Sequence, residues 1–318
     1  MEKNSRFESQ IALNAKALHE LSPLVVKISQ DNMASHGGLV EESLPAVIQG
    51  LNRAIVKSDV LWALGSTVVL GLSEEIAMKA GCGIDIDHIP MMNYIKTRVP
   101  RLRAPHIHGV LQDGRRSFVF MTRIKGEPLD RVWKTLDNSQ KESIKEQLEI
   151  MFSGIRSLTP PPSDEPHALL GGGIPRRCRD ARRHVRVAEK PIESMVEFNL
   201  FLTTDPNRTE TGRLKMIRSF LSSDHKFVMT HGDLHPRNIM VITSNILPSD
   251  VFTPLVKVTG LLDWEMCGYY PDYWEYVKAL HTIHPGDGFD DWWNYLPASI
   301  GVWPKEYSVD ELISRWRG

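Results

Sequence analysis

Asp233, Asn238 and Asp263 are the residues whose types and spacing could do chemistry. Asp233 and Asn238 stand five positions apart in the run His231-Gly232-Asp233-Leu234-His235-Pro236-Arg237-Asn238, and Asp263 follows the apolar run Leu261-Leu262 and precedes Trp264-Glu265. Two carboxylates and one amide are the set that holds a nucleotide's magnesium beside a hydroxyl acceptor. Phosphoryl transfer passes through a loose transition state, so the protein mainly positions groups and neutralises charge. One carboxylate must accept or orient the proton of the acceptor hydroxyl and stay clear of metal, a role that suits Asp233. The other, helped by an amide oxygen, must carry magnesium, a hard cation that takes oxygen ligands and keeps several waters. Asp263 and Asn238 suit that role.

These side chains need elements that aim them at one place. The apolar run from Ile239 to Ile242 reads as a strand leaving the loop, and Leu255 to Leu262 as a β-branched partner strand that delivers Asp263 at its end. Both acids would then sit on a rigid hairpin. A His-Gly-Asp turn that merely caps a structural loop is the alternative for the first motif alone.

With both motifs in place, the sequence resembles the aminoglycoside phosphotransferase and choline-kinase-like family, distant relatives of the protein kinases. The segment Asp233 to Asn238 looks like that family's catalytic loop, and Leu262-Asp263-Trp264-Glu265 like its magnesium-binding segment. The resemblance runs from about residue 65 to 280 and is specific in the last third. It implies an α+β, bilobal, protein-kinase-like fold. Residues 1–123 would form a small β-rich lobe with an N-terminal helix and the nucleotide-binding sheet. Residues 124–318 would form a larger, mainly helical lobe with the catalytic loop, metal site and acceptor pocket. It also implies transfer of the γ-phosphate of ATP, with Mg2+, to a hydroxyl of a small molecule. Asp233 would be the catalytic base, and Asn238 and Asp263 the metal and cofactor ligands.

A lysine that reaches the phosphates belongs on a strand of the first lobe. Val68 to Leu72 and Ile76 to Gly81 look like two strands joined by Ser73-Glu74-Glu75, with Lys79 late in the second. A solvated edge lysine is the plain reading of that residue; the resemblance makes it the phosphate clamp. Ser117 to Ile124 reads as a further strand that breaks at Gly126 and Pro128, and by resemblance its end, Met121 to Arg123, binds adenine. Two features depart from the family. The helix expected after Lys79, over 85–97, carries no glutamate; Asp87 is the closest carboxylate, either a helix N-cap or the lysine's partner. Ala63-Leu64-Gly65-Ser66-Thr67 is a weak phosphate loop that a plain turn explains as well.

Composition adds bounds. The 318 residues are 42% hydrophobic and 24% charged, with a net charge of −1, which leaves no global field for nucleic acid or an anionic membrane. Three cysteines without metal spacing point to a reducing, cytoplasmic setting. The partners expected are a small-molecule hydroxyl acceptor, no nucleic acid and no membrane. Residues 6–21, with Phe7, Ile11, Leu18 and Leu21 on one stripe, suggest an amphipathic helix, and 139–158 another, with Ile144, Leu148, Met151, Phe152 and Ile155 as its core face. Gly171-Gly172-Gly173 reads as a flexible turn. Arg176, Arg177, Arg179, Arg182, Arg183 and Arg186 could bind RNA or an acidic substrate; no aromatic residues interleave to stack bases, so a solvated helix face or internal pairing with acids is the reading favoured. Aromatic residues crowd the segment after Asp263, where by resemblance Glu265, Asp272 and Glu275 would contact a cationic acceptor. A pseudokinase that keeps the fold as a nucleotide-binding or scaffolding protein remains the alternative function, motivated by the weak phosphate loop and the missing glutamate. A protein kinase fits less well, because Trp264-Glu265 stands where phenylalanine-glycine belongs.

Overall fold

Residues that alternate between small or polar and branched or aromatic types build a sheet first. The computed structural model describes residues 10–34, 43–160, 169–182, 184–204, 211–243, 256–281, 283–284 and 286–317. The chain divides into two compact units, Met1–Asp85 with Pro105–Ile124, and Ile86–Ala104 with Lys125–Gly318.

The first unit holds β1 (Lys16–His19), α1 (Pro23–Ala34), α2 (Leu44–Lys57), β2 (Asp59–Leu64), β3 (Thr67–Gly71), β4 (Ile76–Cys82), β5 (Ile107–Asp113) and β6 (Arg116–Thr122). Its strands form one antiparallel sheet in the order β1-β5-β6-β4-β3-β2. Because side chains alternate across a strand, Leu70, Ile76, Met78, Ala80, Phe118 and Phe120 share one face. There they form a core with Val25 of α1 and Val47, Ile48, Leu51 and Ile55 of α2. Each of these larger apolar side chains contributes about 1.5–3 kcal/mol on burial. The opposite face carries Lys79 and Met121. β2 and β3 are joined by Gly65-Ser66, a hairpin turn.

The amphipathic helix expected over 6–21 is not formed in its described part. Residues 16–19 instead pair with β5, Lys16 opposite Gln112. Ile11 is buried but Leu18 is exposed, so the apolar stripe is not one buried face, and ladder hydrogen bonds win. Residues 6–9, including Phe7, lie outside the described residues.

In the second unit, α3 (Ile89–Arg98) buries Ile89, Met91, Met92 and Ile95. It lies inside the 1–123 stretch of the sequence reading but groups with the C-terminal unit, and the contacts say why. The Tyr94 hydroxyl donates to the Thr159 carbonyl at 2.6 Å, Leu261 N–H donates to the Arg103 carbonyl at 2.7 Å, and the Arg103 guanidinium donates to the Val258 carbonyl. The helix N-cap is His88 rather than Asp87, which places Pro90 at the second helical position; Asp87 instead lies 3.9 Å from Arg179.

The unit continues through β7 (Glu127–Pro128), α4 (Leu129–Val132) and α5 (Asn138–Arg156). Asp137 and Gln140 form a reciprocal capping box at the start of α5, and Ile144, Leu148, Met151, Phe152 and Ile155 are its buried face. Then come β8 (Arg179–Ala181), β9 (Val185–Val187), α6 (Met195–Thr203), α7 (Gly212–Arg218), β10 (Phe227–Thr230), β11 (Ile239–Thr243), β12 (Val256–Leu261), β13 (Gly268–Pro271), α8 (Trp274–His281) and α9 (Pro304–Arg317). Three small sheets, β12-β11-β7, β10-β13 and β8-β9, sit among these helices. Phe198, Tyr270, Tyr273, Trp274, Val277 and Ile313 belong to one core, so much of the aromatic crowding after Asp263 is packing. Among the described residues, no helix is long and apolar enough to cross a membrane.

Arg179 and Arg186 of the arginine cluster lie on the paired strands β8 and β9, and its described charges meet partners within the protein. Arg182 donates to Asp180 at 2.8 Å and to Asp310 at 2.5 Å, Lys278 meets Asp180 at 2.6 Å, and the Arg186 guanidinium lies 4.0 Å over the Phe201 ring. Arg183 lies outside the described residues. The Gly171–Gly173 segment is packed rather than a flexible turn: Gly171 bridges to Tyr269, and a Cβ on Gly172 would run into the Cys267 carbonyl.

Candidate active site

The loop that carries Asp233 begins where β10 pairs with β13, Thr230 opposite Gly268. Gly232 has φ +83, and a Cβ there would stand 2.6 Å from the Met266 carbonyl oxygen. Only glycine accepts both the left-handed conformation and that approach. His231 is fully buried and works at both ring nitrogens. Its Nε2–H donates to the Leu262 carbonyl at 2.9 Å, and its Nδ1 accepts the Asp233 N–H at 3.2 Å. That pairing requires the Nε2-protonated neutral tautomer.

Two residues on, His235 Nδ1 accepts the Arg237 N–H at 3.0 Å and caps the short helical turn Pro236–Asn238. Burial, and then the neighbouring Arg237 charge, lower the His235 pKa to about 4. The turn brings Asn238 back onto Asp233: Nδ2 donates to the Asp233 carbonyl at 2.9 Å and to its Oδ2 at 2.8 Å. Because the amide nitrogen is committed to Asp233, its orientation is set, and the amide oxygen is turned the other way, a hard oxygen that could hold a cation.

Asn238 also joins the loop to the strand that delivers Asp263. In the β11–β12 hairpin Ile239 stands opposite Leu261, and Leu262 N–H donates to the Asn238 carbonyl at 2.7 Å. Asp263 follows with φ 61 and ψ 68, and among the described residues it is the only non-glycine with positive φ. Such a conformation is uncommon and is tolerated best by Asn and Asp. Trp264 holds the bend, its Nε1–H on the Leu261 carbonyl at 2.8 Å and its ring 4.6 Å edge-on from His231. Asp233, Asn238 and the backbone reaching Asp263 are thus hydrogen-bonded into one piece. Among the described residues no three or more His, Cys, Asp or Glu side chains gather into a metal cage. One carboxylate and one amide oxygen suit magnesium, which binds through one or two protein ligands together with substrate phosphates and water.

Beneath the loop, Glu275 of α8 is 0% exposed. Its carboxylate accepts His231 N–H at 2.6 Å and Gly232 N–H at 3.2 Å. Burial raises its pKa, opposed by the nearby Arg156 charge and by these two backbone donors. The sequence places Glu275 and Asp272 at a cationic acceptor; burial corrects Glu275. Glu275 anchors the loop backbone, and the Asp272 carboxylate is bonded to His225 Nδ1 at 2.8 Å while its carbonyl accepts from Arg156. Glu265 receives the Arg179 guanidinium on its carbonyl at 3.1 Å. Arg237 was given no role from sequence. Its Nη2 lies 3.2 Å from Asp233 Oδ2 and 3.3 Å from Oδ1. The signals were present but faint: an acid within the apolar run Trp274-Glu275-Tyr276-Val277, and a cation four residues after the candidate base.

In the first unit, Lys79 stands opposite Val69 and Val119 on β4, an interior strand of the sheet rather than an edge. Met121, opposite Ala77, points to the same face. Arg123 is built into the β3–β4 turn: its N–H donates to the Glu75 carbonyl at 2.7 Å and its guanidinium to the Ser73 carbonyl at 3.0 Å. That leaves its carbonyl, not its N–H, for any nucleotide.

A model of the phosphotransferase enzyme family matches residues 90–294, which include the whole of the loop and hairpin above. Among curated proteins none matches the chain in sequence. Among solved structures, the chain is similar to the GDP and kanamycin complex of APH(2")-IIia, with 14% identity over 80% of this chain and 81% of that one, TM-score 0.52. It is similar to ADP-bound aminoglycoside phosphotransferase APH(2'')-Ib at 11% identity, 81% and 80% coverage, TM-score 0.50. A thermostable mutant of aminoglycoside phosphotransferase APH(4)-Ia, in ternary complex with ADP and hygromycin B, matches at 8% identity, 91% and 88% coverage, TM-score 0.50. The shared fold is the α+β, protein-kinase-like one implied by the sequence resemblance.

Proposed function

This chain belongs to the phosphotransferase enzyme family, and from that premise we propose that it transfers the γ-phosphoryl group of ATP to a hydroxyl of a small molecule. The observation that carries the proposal is the Asn238 amide, bonded at 2.8 Å to the Asp233 carboxylate while its backbone carbonyl holds Leu262, the residue before Asp263. A base and two oxygen ligands are thereby kept at fixed separation, the positioning that phosphoryl transfer demands.

In the proposed reaction Asp233 takes the acceptor's O–H proton as that oxygen bonds to the γ-phosphorus. The bond from phosphorus to the β-phosphate bridging oxygen breaks, and ADP leaves with that electron pair. Asn238 Oδ1 and the Asp263 carboxylate would hold Mg2+, which neutralises charge on the phosphates when bound. Lys79 is the proposed phosphate-binding cation, supported by its place on an interior strand. The strand end at Met121 and Arg123 is the proposed adenine-binding segment, with the Arg123 carbonyl as acceptor. We place the protein in the cytoplasm, where ATP and magnesium are supplied.

The test is calorimetric titration of ATP with magnesium into wild type and Asp263→Ala. Binding that requires both the metal and Asp263 supports the reading, and Asp233→Asn then serves as the inactive control in acceptor assays. Wild type that fails to bind millimolar ATP in the presence of magnesium overturns it and leaves a scaffold.

A further inference from the structure

We propose that the acceptor carries an anionic group, a carboxylate or a phosphate, and that Arg237 binds it. This rests on Asp233 being the base of the proposed reaction. Arg237 reaches Asp233 through Nη2 alone, at 3.2 and 3.3 Å from the two carboxylate oxygens, and its side chain is 45% exposed. A guanidinium has five N–H donors in a planar fork, so the Nε and Nη1 side of this one is open to a second anion. Its backbone cannot drift, since the Arg237 N–H is held by His235 and the turn ends on Asn238, which is bonded to Asp233. The guanidinium therefore moves only by side-chain rotation.

Three acids of this unit already hold partners. Glu275 is buried on two backbone donors, Asp272 is bonded to His225, and Asp287, whose charge reaches His235, accepts the His284 N–H at 3.0 Å. A cationic acceptor would place like charge against Arg237 at the moment its hydroxyl approached Asp233. An anionic acceptor does the opposite. It draws the guanidinium away from the carboxylate and uncovers the oxygen that must take the proton, so specificity and availability of the base are linked through one side chain.

Four pyranoses of different charge test this: glucuronate, glucose 6-phosphate, glucose and glucosamine. Each is titrated calorimetrically into wild type, Arg237→Gln and Arg237→Lys saturated with magnesium and ADP, after ATP binding in the presence of magnesium has been measured on the same samples. The expected result is millimolar binding of glucuronate or glucose 6-phosphate, and none of glucose or glucosamine. The two anionic arms tell carboxylate from phosphate recognition. Arg237→Gln should weaken the bound anion tenfold or more, Arg237→Lys should restore part of it, and nucleotide binding should be the same in all three. A preference for glucosamine, no binding of either anion, or an anion affinity unchanged in Arg237→Gln overturns the inference. If nucleotide binds normally in those cases, only the anion inference falls; if wild type fails to bind nucleotide, the functional reading falls and takes this one with it.

Discussion

Removing the Glu275 carboxylate should loosen the loop that carries Asp233 without touching any group that could meet a substrate. The carboxylate is fully buried and accepts the N–H groups of His231 and Gly232 at 2.6 and 3.2 Å. In Glu275→Ala both donors lose their partner inside the protein. Each unsatisfied buried donor costs about 1–3 kcal/mol, so the pair costs about 2–6 kcal/mol, offset in part because the polar carboxyl group itself is no longer buried. At about 2 °C per kcal/mol for a chain of this size, the melting temperature should fall by about 4–12 °C. Glu275→Gln keeps an oxygen for one donor but turns an amide N–H₂ toward the other, and should lose about half as much. Melting by scanning calorimetry gives the size of the effect, and hydrogen exchange of a peptide spanning 229–234 gives its location. The His231 and Gly232 amides should exchange much faster in both variants. Loss of stability with unchanged exchange there, or a melting temperature within a degree of wild type in Glu275→Ala, would refute the anchoring argument.

Other consequences follow from the same contacts. His235 has its pKa lowered from 6.5 to about 4, so between those values the unfolded chain binds more protons than the folded one, and stability falls as pH drops through that window by up to about 3 kcal/mol. His235→Asn keeps an oxygen to cap the Arg237 N–H and should flatten the melting-temperature profile between pH 4 and 6.5; an unaltered slope contradicts the shift. Lys278→Ala leaves the buried Asp180 with Arg182 at 2.8 Å but without its 2.6 Å partner and should cost about 1–3 kcal/mol, whereas the double change Asp180→Asn with Lys278→Met should recover part of that; equal losses in denaturant titrations would show no coupling. Asp263→Ala should abolish magnesium-dependent ATP binding while leaving the melting temperature within a few degrees of wild type, and Asp233→Asn should retain nucleotide binding while lowering turnover at least a hundredfold.

Much of the site was legible because its information is local. The Asp233–Asn238 spacing, the apolar runs that became β11 and β12, and the strand that carries Lys79 each lie within a few residues of chain. The apolar stripe of α5 is as local, since helical periodicity is a short-range effect. Where a local signal competed with tertiary pairing it failed: the apolar stripe of residues 10–21 gave way to a strand paired with β5, and Asp87 to His88 as the cap of α3.

What the sequence by itself determined is the chemistry on offer: two acids and an amide that suit a base and oxygen ligands for a hard cation, a strand-borne lysine, and the hairpin that leads from Asn238 to Asp263. Only the tertiary structure decided what holds and surrounds them. Glu275 meets the loop across 44 residues of chain, and Arg182 meets Asp310 across 128. Whether an acid faces a ligand or a buried backbone depends on such distant partners, because burial sets the cost of an unpaired charge and burial is a property of the assembled fold. The same physics buried Glu275 under the loop, out of reach of any acceptor.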